Sequence, residues 1–143
     1  MDDLLSRLDR SQGLYSDLVS ELTPSLLGRR LGDVPSNTIA EQLWCVVGAR
    51  ESYTRAAREG GWRGFTSSLD AVSAGDPALV ARTLTRSFAQ VVDAINDGVA
   101  SVDQRWFIDL LEHETQHHGQ LIRYLYGLDI PRPASWRERY ALD

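Results

Sequence analysis

Apolar residues recur along the chain at helical spacing, and no stretch shows the alternation of a half-buried strand. Between about Asp3 and Leu22, the residues Leu4, Leu8, Leu14, Leu18 and Leu22 fall on one stripe, which predicts a first helix weakened at Gly13 and ended before Pro24. The following "TPSLLGRRLGDVPS" mixes proline, glycine and leucine and predicts a turn or a short helical piece. A second helix opens at "SNTIAEQLW", where Thr38 and Glu41 have the spacing of a capping box. It runs to about Glu59, before Gly60 and Gly61, with Leu43, Val46, Val47 and Tyr53 on its apolar face.

A third helix begins at "GDPALV", with Asp76 as N-cap and Pro77 at the first helical position. It carries Val80, Leu84, Phe88, Val91 and Ile95 and ends near Asn96 or Gly98. A fourth starts at about Ser101, which has capping-box spacing to Gln104, and continues until Gly127. In the tail, "LDIPRPASWRERYALD", two prolines preclude a long helix before Ser135, and Trp136 and Tyr140 are expected to fold it back.

Four amphipathic helices without strands predict an all-α four-helix bundle, a single domain over residues 1–143. The second and third helices are separated by "GGWRGFTSSLDAVSAG". That is long for a compact connection but enough to cross a bundle roughly 30 Å tall. A crossover there makes the middle helices parallel.

Composition narrows the function. With 43% hydrophobic and 24% charged residues, the chain reads as a soluble globular protein. No apolar run approaches the roughly 20 residues that span a bilayer, and "MDDLLSRLDR" is acidic where a signal peptide would be basic, so a cytoplasmic protein with no membrane partner is expected. The net charge of -5, with no basic stripe, argues against nucleic acid. A single cysteine, Cys45, excludes a disulfide within the chain. All fifteen basic residues are arginine, so no side-chain amine can form a Schiff base.

All three histidines lie in "EHETQHHGQLIRYLYG". On a helix, His113 and His117 stand one turn apart on one face, with Trp106 and Tyr124 within about 20° of His113 on the helical wheel and Leu110 and Leu121 beside His117. The pair therefore points into the bundle or its mouth and has the spacing to grip one ion; a structural pair satisfying hydrogen bonds is the other reading. His118 falls about 100° further round, cannot share the ion, and is assigned to a helical or subunit contact. His113, Glu114 and His117 also satisfy HExxH, but a zinc protease would want a third ligand, a cleft lined by an edge strand and a longer chain.

Cys45 is the candidate third ligand. Its sector of the second helix holds Glu41, Gly48, Ala49 and Ser52, small or polar residues that leave room for an ion or substrate. A thiolate and two imidazoles from two helices would leave one tetrahedral position open, the layout of a catalytic zinc site; a buried free cysteine acting as a small hydrophobe is the alternative.

"EQLWCVVGARESY" followed by "EHETQHHGQLIRYLYGLDIPRPASW" resembles the DinB family of small four-helix proteins, described as DinB/YfiT-like metalloenzymes, over roughly residues 36 to 140. His113, His117, Gly119 and Gln120 carry the strongest part of the likeness. The resemblance implies up-down-down-up connectivity, frequently a homodimer, and a divalent metal held by one histidine of the second helix and the pair of the fourth. Cys45 stands where that first histidine is expected, which biases the site toward zinc over nickel or iron, or else marks loss of the metal or a reactive thiol. For function, the resemblance implies a metal-dependent thiol S-transferase that activates a low-molecular-weight thiol toward a small-molecule electrophile; a noncatalytic, stress-related metal- or ligand-binding bundle is the alternative. Glu41 is read as a capping residue before a proton acceptor, and Arg132, Arg137 and Arg139 as a self-paired tail before a carboxylate grip.

Overall fold

A computed structural model describes residues 2–70 and 73–143 of the chain, and among these every regular element is helical. Four long helices, α1 (Asp2–Ser20), α3 (Ile39–Glu59), α4 (Pro77–Asn96) and α6 (Arg105–Gly127), form the bundle. Three short ones, α2 (Pro24–Leu27), α5 (Val99–Val102) and α7 (Ala134–Tyr140), close its ends. Among the described residues no helix is long and apolar enough to cross a membrane. Around the bundle, α1 packs on α4 and α6, and α3 packs on the same two, so α1 and α3 face each other diagonally.

The core divides into two layers that fix the sense of each helix. One layer holds Leu14 and Leu18 of α1 with Leu22 just beyond its end, Leu43, Val46 and Val47 of α3, Val80 and Leu84 of α4, and Leu121 and Leu125 of α6. The other holds Leu8 of α1, Ala49 of α3, Val91, Ala94 and Ile95 of α4, and Phe107 and Leu110 of α6. The late residues of α1 and α6 thus share a layer with the early residues of α3 and α4. The outer helices run one way and the middle two the other.

Local chemistry sets the helix ends. Thr38 and Glu41 close a reciprocal capping box at the start of α3, and Gly60, at φ 70°, ends that helix in the left-handed conformation that glycine adopts without strain. Asp76 caps α4 through the Ala78 N–H at 2.9 Å, with Pro77 in the first turn. The expected start at Ser101 is overturned. Ser101 lies inside α5, Gln104 makes no side-chain cap, and the Asp103 carboxylate instead accepts from the Arg105 N–H at 3.2 Å, so a fresh helix begins at Arg105.

Within the α3–α4 crossover, Ala71 and Val72 lie outside the described residues. Residues 61 to 70 are strapped along α3 by that helix's own side chains. Arg55 donates to the Gly64 carbonyl at 2.8 Å and to Thr66 Oγ1 at 3.0 Å, Ser52 bonds both the N–H and the C=O of Thr66, and Glu51 accepts from the Ser68 N–H at 2.8 Å. The tail turns back as expected: Trp136 is fully buried, and its indole N–H donates to the Leu14 carbonyl at 2.7 Å.

Candidate metal centre

Helices α3 and α6 bring Cys45, His113 and His117 together. Cys45 Sγ lies 3.4 Å from His113 Nε2, which lies 3.1 Å from His117 Nε2. One ligand atom from each of the three falls within 4.8 Å of the others, close enough to hold a metal ion. Cys45 and His113 are half-buried and His117 is buried, so the cluster sits at the edge of the core.

Gln42 completes the geometry. It is buried one turn before Cys45, and its Oε1 accepts the Nδ1–H of His117. That bond fixes the tautomer: the proton sits on Nδ1, so the Nε2 lone pair faces His113 and Cys45, the outer-sphere support that imidazole ligands usually have. Burial, and then the neighbouring His113, push the His117 pKa down to about 4, and burial lowers that of His113 as well. Both rings are neutral near pH 7 and can donate lone pairs. Burial raises the Cys45 thiol, so it becomes a thiolate only when something compensates the charge.

The small residues near Cys45 do not leave the space the sequence suggested. A Cβ on Gly48 would lie 2.6 Å from Phe65 Cε1 and 2.9 Å from Ser67 Cβ, so this sector of α3 is filled by the crossover strap. Ala49 is buried in the core and Ser52 is bonded to Thr66. Aromatic rings border what remains. Tyr53 stands edge-on to His113 at 6.3 Å and packs on Trp62 and Trp106, while Trp44 meets Phe65 at 5.0 Å. Glu41 is an exposed capping residue whose carboxylate accepts from the Thr38 N–H at 2.6 Å, a bond that lowers its pKa. In the tail, Arg132 donates to the terminal Asp143 carbonyl at 2.7 Å.

Glu114 follows His113 in sequence but takes no part in the trio. Its carboxylate is buried at 1% exposure and receives Arg50, itself fully buried, through Nε at 2.6 Å and Nη2 at 3.2 Å. Arg50 also donates to the Leu84 carbonyl at 3.0 Å and lies over the rings of Tyr15 and Phe88. A carboxylate held this way is unavailable as the general base that HExxH requires, and among the described residues no strand exists to line a peptide cleft. His118 contacts α1 and α7 within the chain: Ser11 Oγ lies 3.1 Å from its Nε2 and Tyr140 OH 2.7 Å from its Nδ1. Burial lowers its pKa to about 4.

Sequence reading overlooked Gln42, Arg50 and the core role of Glu114. Their signal was present in the stripe positions. Arg50 continues Leu43, Val46 and Val47 at helical spacing, and Glu114 lies between Leu110 and Leu121. A polar residue on an apolar stripe must be buried with a partner or displace the helix. No family model, curated protein or solved structure matches this chain.

Proposed function

We propose that the protein is a divalent-metal enzyme of the DinB-like kind, a thiol S-transferase that joins a low-molecular-weight thiol to a small electrophile. The observation that carries this reading is the convergence of one sulfur and two Nε2 atoms from two helices. Zinc suits the donor set. With Zn–S of about 2.3 Å and Zn–N of about 2.0–2.1 Å, tetrahedral ligation spaces sulfur and nitrogen about 3.6 Å apart and two nitrogens about 3.3 Å apart. The distances of 3.4 and 3.1 Å are each shorter by about 0.2 Å, within reach of small ring rotations.

A bound divalent ion supplies Lewis acidity that lowers the pKa of a thiol placed in the fourth position. The chain's own residues do the rest. Gln42 holds His117 in the tautomer that presents its lone pair, burial keeps both rings unprotonated, and Tyr53, Trp62 and Trp106 form an apolar wall beside His113. In the transfer a C–S bond forms as the bond from carbon to the leaving group breaks. The thiol proton departs with the leaving group, without net redox change.

Elemental analysis of protein purified without added metal tests the reading. About one zinc per chain is expected, with loss in His113→Ala and weakened retention in Cys45→Ser; a metal-free native protein rejects it. Turnover of a thiol with a model electrophile should vanish on chelation and return with zinc. Stoichiometric metal with no turnover across a substrate panel would favour a noncatalytic binding bundle instead.

A further inference from the structure

Between α1, α6 and α7, on a different helix pair from the trio, lies a small recess of about 70 Å³ lined in part by Arg7, Arg10, Ser11, His118, Arg139 and Tyr140. Three arginines line this one recess in a chain of net charge -5. Arg7 shares Asp3 at 3.0 Å, while Arg10 and Arg139 have no carboxylate within ion-pair distance among the described residues. Asp9, Asp17 and Glu138 border the adjoining groove, where Asp17 accepts the Ser135 hydroxyl.

The floor of the recess is a chain of hydrogen bonds with a fixed direction. Paired with Arg50, the Glu114 carboxylate only accepts, so the Ser11 hydroxyl must donate to it. With its one proton committed, Ser11 accepts from His118 Nε2–H, which leaves Nδ1 as the acceptor for the Tyr140 hydroxyl. Thr115 likewise donates to the Leu111 carbonyl at 2.8 Å. These hydroxyl protons are all committed within the chain, so the Tyr140 oxygen, on a residue that lines the recess, can only accept a further hydrogen bond.

We propose that the recess binds a small tetrahedral oxyanion that keeps one hydroxyl, hydrogen phosphate being the simplest. The guanidinium groups supply the charge and directional N–H donors that phosphate oxygens take, and the remaining P–O–H donates to the Tyr140 oxygen. An anion without that proton would set lone pair against lone pair there. A recess of about 70 Å³ suits a bare anion, not a nucleotide.

Calorimetric titration of the chelator-treated full chain, at neutral pH and matched ionic strength, tests this with sodium phosphate, sodium sulfate and methyl phosphate. Phosphate should bind and raise the unfolding midpoint, with sulfate and methyl phosphate, which lack the hydroxyl at that pH, weaker. Arg10→Gln and Arg139→Gln should each weaken phosphate about tenfold without altering the helical circular dichroism, since both side chains are exposed. Tyr140→Phe should abolish the preference for phosphate over sulfate. No binding of phosphate, binding untouched by the arginine replacements, or equal binding of sulfate or methyl phosphate would each overturn the proposal.

Discussion

Replacing Glu114 by glutamine keeps the side chain's size and removes its charge, leaving Arg50 cationic where it has no exposure to water. The glutamine oxygen can still accept one guanidinium N–H, but the two-pronged contact at 2.6 and 3.2 Å loses its charge and its second acceptor. Breaking a buried pair from one side costs about 3–5 kcal/mol, a large part of the roughly 5–15 kcal/mol that holds a domain folded. For a chain of this length that is a fall of about 10–15 °C in Tm. Arg50→Met should cost a similar amount at neutral pH but less in acid, because the stranded carboxyl can take up a proton, whereas Arg50 has no such escape. The double variant Arg50→Met/Glu114→Leu, apolar and of comparable volume, should recover most of the loss, giving a coupling energy of about 3 kcal/mol or more. With Glu114→Leu added as the single variant that matches the double one, urea unfolding followed by circular dichroism and tryptophan fluorescence measures all four corners of the cycle. Single-variant costs under about 1 kcal/mol that simply add would refute the reasoning, because they would mean that the pair is hydrated. Glu114→Gln should also leave metal uptake intact, because Glu114 takes no part in the Cys45, His113 and His117 trio.

Gly48→Ala should destabilise by about 1–3 kcal/mol, because the new methyl meets Phe65 and Ser67, although alanine is the better helix former. With Phe65→Ala as background the cost should fall but not vanish, because the contact with Ser67 remains, and equal effects in both backgrounds would show that the strap does not rest on Gly48. The metal-free protein should lose stability in acid. His117 and His118 are each held down to about 4 against about 6.5 unfolded, so their contribution is complete above pH 6.5 and is lost as pH falls toward 4, when the unfolded rings take up protons that the folded ones refuse. Each contributes a slope of up to about 1.4 kcal/mol per pH unit in that window, and His118→Gln should lower the proton uptake on unfolding by about one. A stability unchanged between neutral pH and pH 5 would place both rings in water.

The sequence alone determined the helices, most of their ends and the residues worth examining for chemistry. Helical periodicity and caps are local properties: the Thr38–Glu41 box and the Asp76–Pro77 start are written within a few residues of each other. Local information also placed His113 and His117 on one face and His118 off it, since one turn of helix fixes those angles. Tertiary structure decided what stands opposite each face. It brought Cys45 across to His113, a separation of 68 residues, and supplied Gln42 to set the His117 tautomer. It filled the sector around Gly48 with Phe65 and turned Glu114 away from the histidines to neutralise Arg50. These outcomes depend on packing between helices, where a buried charge must find its partner and a vacant volume must be occupied. Such constraints act through space, and spacing along one helix does not encode which neighbour will satisfy them.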